Sequence, residues 1–171
     1  LFRSTIVTIR TFFRFLANEG IVADIAREIS PPKIPKRLPK ALSISEISAL
    51  IEASGSEGAQ IRDRALIEIL YASGARVSEI VSLNVNDIER VESGTMTVRV
   101  IGKGRKERLV PVGKYAQEAL ESYLVRIRPT LVKVAREDAL FLNQSGSRLS
   151  RQSAWAIVLA AAAKANLERK V

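Results

Sequence analysis

The segment that organises this chain is YASGARVSEIVSL, residues 71–83. An apolar helical pattern ends at its start, and Gly74 then suits a tight turn because glycine tolerates left-handed backbone angles. Apolar side chains return at helical spacing from Val77 onward. The segment therefore predicts a helix, a turn and a second helix, and it places Arg76 where the second helix begins.

Helical patterns continue on both sides of this segment. Upstream, Ser43 followed by Glu46 forms a capping-box signature, which predicts a helix that ends near Gly55. Downstream, a helical pattern starts at Tyr115, and it must finish before Pro129 because proline disfavours helical angles at the preceding residue. The central part of the chain therefore consists mainly of short helices.

Two further helices are predicted near the ends of the chain. Apolar residues recur at helical spacing over residues 2–16, and Gly20 closes that pattern. Ser150 is suited to cap a last helix, because serine accepts a hydrogen bond from the free amides of the first turn. The apolar residues that share one face of this last helix are Trp155, Val158, Leu159 and Ala162.

Strand periodicity occurs in two places. Residues 95–101 alternate polar and apolar side chains, and residues 109–112 form a second short run. The connection at residues 102–106 contains two glycines, which favours a β-hairpin with a basic tip. The predicted fold class is α+β, mainly α-helical with a small antiparallel β-hairpin.

Composition limits the chemistry that the chain can perform. It has 171 residues, a formal charge of +9 and neither cysteine nor histidine. These absences exclude disulfides, thiolate metal sites and an imidazole general base, so we expect no transition-metal centre. No run of about eighteen apolar residues occurs, so we expect a cytoplasmic protein without a membrane span. The basic excess favours an anionic partner such as nucleic acid.

Arg76 is hard to explain by packing alone. A cation at the start of a helix opposes the helix dipole, which favours carboxylates there. If an anion docks at this position, the guanidinium and the free amides can bind it together. The alternative is an ordinary surface pair with Glu79, three residues along the helix, and the spacing leaves both interpretations open.

The predicted hairpin tip concentrates basic residues. Glycines there let the backbone approach a ligand closely, and a two-stranded ribbon of this kind can enter a DNA groove. The alternative is a charged, solvated hairpin end. Its candidate DNA contacts are Lys103, Arg105, Lys106 and Arg108.

Three other segments carry candidate DNA contacts. The first helix has a basic stripe, and the proline-rich connector at residues 30–41 can lie extended along phosphates. The start of the last helix has residue types that recognition helices use, although a well-capped helix with Trp155 in the core is the alternative. The residues concerned are Arg10, Arg14, Lys33, Lys36, Arg37, Lys40, Arg148, Ser150, Arg151 and Gln152.

The chain contains three motifs that resemble those of the tyrosine recombinases of the Xer and phage-integrase type. YASGARVSEIVSL is similar to the family's first-arginine box, GKGRKERLVPV to its catalytic-lysine hairpin, and SRLSRQSAWAIVLAAAAKAN to its major-groove helix region. The resemblance implies three parts. Residues 1–29 hold the last helix of a core-binding (SAM-like) domain, residues 30–41 form a basic linker, and residues 42–171 form the first and central part of the catalytic domain.

The resemblance also implies roles. Arg76 would bind the scissile phosphate, Lys103 would protonate the leaving 5′-oxygen, and Glu79 would support the site. The implied reaction is site-specific breakage and rejoining of double-stranded DNA, within a homo- or hetero-multimer of recombinase subunits at the bacterial nucleoid. It passes through a 3′-phosphotyrosyl intermediate, so bond energy is retained and no cofactor is required.

The sequence departs from the family in one respect. A His-x-x-Arg box and a nucleophilic tyrosine follow the major-groove helix in the family, and residues 1–171 contain neither. Tyr71, Tyr115 and Tyr123 precede the expected position, so none is assigned as the nucleophile. We expect a recombinase fragment that binds DNA without cutting it. A noncatalytic relative that regulates a complete partner is the alternative, and a basic RNA-binding or ribosome-binding protein is a third reading.

Overall fold

The structure is a computed structural model, and it describes residues 2–30, 41–91 and 94–167. The chain divides into two compact units, Leu1–Lys40 and Ala41–Val171. Most of the predicted connector, residues 31–40, lies outside the described residues. Over the described ranges, none of the helices combines the length and the apolar character that crossing a lipid bilayer requires.

The first unit contains the helix α1, Phe2–Asn18, which confirms the first helical pattern. Within it the Thr8 hydroxyl donates to the carbonyl of Ser4 at 3.0 Å, the usual way a helical threonine satisfies its hydroxyl. Gly20 follows with φ of +71°, a left-handed angle that glycine adopts without steric cost. The predicted end of the helix is therefore confirmed.

The second unit combines short helices with a three-stranded sheet. Its helices are α2 (Ile44–Ala53), α3 (Gln60–Ser73), α4 (Val77–Ser82), α5 (Lys114–Ser122), α6 (Arg128–Leu131) and α7 (Arg151–Lys164), and a π-helical turn (Tyr123–Ile127) joins α5 to α6. Its strands are β1 (Ile88–Arg90), β2 (Met96–Ile101) and β3 (Glu107–Val112). Short 3₁₀ turns precede β1 (Val85–Asp87) and connect β2 to β3 (Lys103–Arg105). This arrangement confirms the predicted α+β class.

The sheet is antiparallel, with the strand order β1-β2-β3. In the central strand, Val98 pairs with Ile88 of β1 on one side and with Val110 of β3 on the other. Met96, Val98 and Val100 of β2 are buried and alternate with partly buried polar residues, which confirms the alternation and the predicted hairpin, whereas Ile101 at the end of the strand is exposed. Strand β1 was not predicted, because three residues are too few to show a period of two.

Helix α3 lies at the centre of the core. Its residues Ala65, Leu66 and Ile69 are fully buried, and they belong to one cluster with Val98 of the sheet and Leu120 of α5. A helix that contacts both the sheet and α5 is fixed in direction at its C-terminal end. That end leads directly into the segment that carries Arg76.

Helix α5 itself ends at Ser122, but the helical backbone continues through the π-helical turn and α6 to Leu131, so the prediction that this helical run finishes before Pro129 is wrong. At the π-helical turn the amide of Arg128 donates to the carbonyl of Tyr123, five residues back, and α6 starts from a new hydrogen-bond register. Pro129 then lies in the first turn of α6, where amides have no helical partner and a missing N–H costs nothing.

The buried side of α7 also differs from one sequence interpretation. Its buried residues are Ala154, Ala161 and Ala162, whereas the Trp155 side chain is 46% exposed. Small alanines let this helix pack closely on its neighbours, so the large indole is directed away from the core. The interpretation that places Trp155 in the core is therefore wrong.

Candidate functional site

The start of α4 is shaped by the turn that precedes it. Gly74 ends α3 with φ of +57°, and its amide donates to the carbonyl of Leu70 at 3.1 Å. A residue with a Cβ would be strained at this backbone angle, which is why glycine occupies the position. Arg76 follows as the N-cap residue of α4, and its carbonyl accepts the first helical bond, from the amide of Ile80 at 3.1 Å. The position predicted for Arg76 is confirmed.

Glu79 is the buried acid of this region, with only 6% of its side chain exposed. Its Oε2 accepts from the backbone amide of Arg76 at 3.0 Å and from Nη2 of Arg108 at 2.7 Å. Its Oε1 accepts from Nη1 of Arg76 at 3.1 Å. The carboxylate therefore joins the start of α4 to strand β3.

These contacts keep Glu79 ionised. The hydrogen bond from Arg108 and then the backbone hydrogen bond from Arg76 lower its pKa to about 2, against the opposing effect of burial. The same pairing raises the pKa of Arg108. At neutral pH the three groups form a charge cluster, which we call the Arg76–Glu79–Arg108 cluster.

The cluster opens onto a cleft of about 350 Å³, which Ser78, Ser82, Ile101 and Gly102 also line. Arg76 keeps 72% of its side chain exposed there although it is paired with Glu79. Both sequence interpretations of Arg76 are thus compatible with the geometry: it forms a pair with Glu79, and it still presents its guanidinium to a ligand.

The hairpin tip lies at one side of this cleft. The amide of Gly102 donates to the carbonyl of Lys106 at 2.8 Å, which closes the turn that contains Lys103. Arg105 adopts φ of +59°, a left-handed angle that is uncommon for a residue with a side chain, and both Arg105 and Lys106 are exposed. Gly102, which directly precedes Lys103, lines the same cleft as Arg76 and Glu79.

Gly102 lies close to two members of the cluster. A Cβ at this position would lie 3.1 Å from Nη1 of Arg108 and 3.5 Å from Oε1 of Glu79. The first distance is tighter than ordinary side-chain contacts, so a larger residue would require the end of the Arg108 side chain to move by a few tenths of an ångström. Glycine is favoured here by this proximity, since its own φ of −92° is ordinary.

The start of α7 lies beside the start of α4. Ser150 is its N-cap and accepts from the amide of Ser153 at 3.0 Å, which confirms the predicted cap. The exposed side chains that follow are Arg151, Gln152 and Trp155, and together with Val77 of α4 they line a hollow of about 320 Å³. The predicted contact segment at the start of α7 and the start of α4 therefore meet at one hollow.

Arg148 has a different environment from its neighbours. Its Nη1 donates to the carbonyls of Val81 at 3.0 Å and Leu83 at 2.8 Å, and its Nη2 donates to Oδ1 of Asn84 at 2.5 Å. These acceptors are at the C-terminal end of α4, where carbonyls lack helical partners. Arg148 thus holds α4 in place, which leaves fewer of its donors for DNA than the sequence suggests.

The remaining candidate contacts belong to the first unit, Leu1–Lys40. Arg10 and Arg14 belong to α1 of the first unit, where Arg14 is exposed and Arg10 is partly buried. The connector candidates Lys33, Lys36, Arg37 and Lys40 lie outside the described residues. Their predicted DNA contacts stay predictions.

One relation in the site was missed by sequence reasoning, namely the bond between Arg108 and Glu79. The two residues are 29 positions apart and belong to a strand and a helix. The available signal in the sequence was Gly102, because a glycine in or next to a strand often marks a place where another group approaches closely. Spacing alone could not identify the partner.

Residues 40–171 of this chain match the model of the phage integrase family. Among curated proteins, the chain is 42% identical to the tyrosine recombinase XerD of Corynebacterium glutamicum, over 97% of this chain and 55% of that protein. It is 46% identical to the tyrosine recombinase XerC of Alcanivorax borkumensis, over 85% of this chain and 47% of that protein. The chain spans about half the length of the curated relatives it matches.

Solved structures show the same likeness. The XerH site-specific recombinase bound to a palindromic difH substrate, in a post-cleavage complex, is similar with a TM-score of 0.73 and 26% identity, over 93% of this chain and 48% of that one. The XerA recombinase is similar with a TM-score of 0.66 and 28% identity, over 98% of this chain and 56% of that one. Because the family match covers most of the chain and includes the whole second unit, the chain belongs to the phage integrase family.

Proposed function

We propose that this chain binds double-stranded DNA and contributes the first part of the active site of a tyrosine site-specific recombinase. The observation that carries the proposal is the Arg76–Glu79–Arg108 cluster, which presents an exposed guanidinium beside the basic hairpin. In the complete protein the partners are double-stranded DNA and further recombinase subunits. The place of action is the bacterial cytoplasm, at the nucleoid.

The proposed reaction assigns separate tasks to the cations. A tyrosine from outside residues 1–171 attacks the phosphorus, a P–O bond to tyrosine forms, and the bond to the 5′-oxygen breaks. Arg76 stabilises the negative charge that develops on the nonbridging oxygens, and Lys103 gives a proton to the departing 5′-oxygen. Glu79 orients Arg76. The phosphotyrosyl bond retains the energy of the phosphodiester, so rejoining needs no ATP.

Tyr123 does not serve as the nucleophile in this proposal. Its ring is buried and stacked on Phe141, and its hydroxyl donates to the carbonyl of Leu140 and accepts from the amide of Leu142, each at 3.1 Å. Burial raises the pKa of this hydroxyl, which disfavours the phenolate. The sequence assignment, which gives none of the three tyrosines the nucleophilic role, is kept.

The test measures DNA binding by the polypeptide 1–171. Fluorescence anisotropy of labelled DNA reports the binding at several salt concentrations. We expect duplex DNA to bind with a steep salt dependence, and Arg76→Ala and Arg105→Ala each to lower the slope of log K against log salt by about 1. Arg126→Ala is the matched control, because Arg126 is exposed on the π-helical turn and lies in none of the candidate contact segments.

Three results would contradict the proposal or a part of it. Equal or tighter binding to single-stranded RNA would favour an RNA-binding protein. A loss for Arg126→Ala as large as that for Arg76→Ala would show that only the general positive charge matters. A covalent protein–DNA adduct formed by this polypeptide on a nicked substrate would refute the part of the proposal that places the nucleophile outside residues 1–171.

A further inference from the structure

We propose that Arg108 is a positioning residue, which holds Glu79 and through it aims Arg76, and that it is not itself a contact to the DNA backbone. The inference rests on the proposed function, because it names how the phosphate-binding arginine is held. It differs from the assignment by charge alone, which counts every cation of the hairpin as a DNA contact.

The two oxygens of Glu79 have different tasks. Oε2 is held from both sides, by the backbone amide of Arg76 at 3.0 Å and by Nη2 of Arg108 at 2.7 Å. Oε1 is directed to the guanidinium of Arg76 at 3.1 Å. A carboxylate that is fixed through one oxygen can use the other to orient a mobile side chain. Arg108 supplies the side-chain part of that fixation.

The exposure of the two arginines supports this division. Arg76 has 72% of its side chain exposed, and Arg108 has 42%. If Arg76 shares its guanidinium with a phosphate, its bond to Glu79 weakens, and a buried carboxylate without a cation is costly. Arg108 keeps Glu79 paired at that moment, whereas its own departure to a phosphate would leave the acid with Arg76 alone.

The hairpin provides the structural reason why Arg108 stays in place. Gly102 leaves room for Nη1 of Arg108, since a Cβ there would lie only 3.1 Å away. The bond from the amide of Gly102 to the carbonyl of Lys106 closes the same turn that carries Lys103. Arg108 therefore ties the base of the hairpin to Glu79 at the start of α4.

The first experiment is a double-mutant cycle in duplex-DNA binding by the polypeptide 1–171 at about 150 mM salt, where long-range charge effects are screened. We expect Arg108→Gln to weaken binding about fivefold in the native background and less than about twofold in the Glu79→Gln background, because its effect passes through Glu79. A residue that contacts phosphate directly would instead lose the same factor in both backgrounds, and the salt slope would fall by about 1 in both.

The second experiment needs no DNA. Carbon-13 NMR of labelled glutamate follows the titration of Glu79, and hydrogen exchange follows the amide of Gly102. We expect Arg108→Gln to raise the pKa of Glu79 and to speed exchange at Gly102 at least tenfold, while the control Arg126→Gln, on the π-helical turn, changes neither. Gly102→Ala crowds Nη1 of Arg108 without altering any charge, so it should shift the pKa of Glu79 in the same direction by a smaller amount, and it keeps the test usable if Arg108→Gln folds poorly.

The outcomes separate the inference from the proposed function. If the native chain fails to bind duplex DNA, the proposed function fails, and the NMR readouts still decide whether Arg108 holds Glu79. If the chain binds DNA and Arg76→Ala weakens it, but Arg108→Gln leaves Glu79 and Gly102 unchanged and loses affinity equally in both backgrounds, the inference is overturned and the function stands.

Discussion

Replacement of Glu79 by glutamine should remove a stabilising contribution that depends on pH. The carboxyl is buried and its pKa is lowered from 4.5 to about 2, first by the hydrogen bond from Arg108. A group whose pKa is lower in the folded state stabilises the fold above its unfolded pKa. That stabilisation is lost as the pH falls from 4.5 towards 2. The native protein should therefore lose stability in this window to a greater extent than Glu79→Gln does.

The size of the effect follows from the shift. A change from 4.5 to about 2 corresponds to roughly 3 kcal/mol at neutral pH. The partner arginines have 72% and 42% of their side chains exposed, so solvent screening reduces this value. We expect Glu79→Gln to cost about 2 kcal/mol of unfolding free energy at pH 7, and more than half of that difference to disappear by about pH 3.

Urea denaturation followed by circular dichroism measures this difference, because urea is uncharged and does not screen the ion pairs. The comparison runs at intervals from pH 7 to pH 3. Glu118→Gln is the matched control, since Glu118 is exposed and forms only a 3.7 Å pair with Lys114. We expect that control to change the unfolding free energy by less than about 0.5 kcal/mol at every pH. A difference for Glu79→Gln that stays constant from pH 7 to pH 3 would refute the reasoning.

Three further predictions test other contacts of the second unit. Arg148→Ala should lower the unfolding free energy in urea by about 1–3 kcal/mol, because the Val81 carbonyl and the Asn84 Oδ1 lose this donor and the Leu83 carbonyl keeps only the amide of Leu140, and it should leave the salt slope of DNA binding unchanged. Arg105→Gly should raise the thermal stability by up to about 1 kcal/mol, because it relieves the φ of +59°, while anisotropy shows weaker DNA binding. Tyr123→Phe should cost about 1–3 kcal/mol in urea, because it leaves two buried backbone groups without partners, and the exposed Tyr115→Phe should cost nearly nothing.

Local features of the fold could be predicted wherever one physical signal dominates. The capping box at Ser43 is an example: the amide of Glu46 bonds to its Oγ at 3.3 Å, and α2 begins there. The alternation in β2 and the glycines after it were sufficient for the hairpin. Arg76 was placed correctly because Gly74 marks the end of α3. Each of these signals lies within a few residues of the feature that it predicts.

Other features depend on contacts between distant residues, and the sequence could not supply them. The helical run from α5 through Pro129 of α6 requires the π-helical turn between them, and such a turn has no reliable local signature. Trp155 is exposed because α7 packs on the core through Ala154, Ala161 and Ala162. The bond between Arg108 and Glu79 joins residues that only the folded hairpin brings together. Side-chain identity determined the candidates, and the tertiary structure determined their partners.

The acid in the Arg76–Glu79–Arg108 cluster has a cost in DNA affinity that needs a physical explanation. Without Glu79 the same surface would carry one more net positive charge, which would attract any phosphate more strongly. Such attraction acts equally on the bound DNA and on the transition state, so it does not speed the reaction. A fixed direction of the Arg76 guanidinium favours the geometry in which charge develops on the nonbridging oxygens. The buried carboxylate of Glu79 and its second partner, Arg108, therefore suit a site in which the orientation of the Arg76 guanidinium matters more than the strength of its attraction to phosphate.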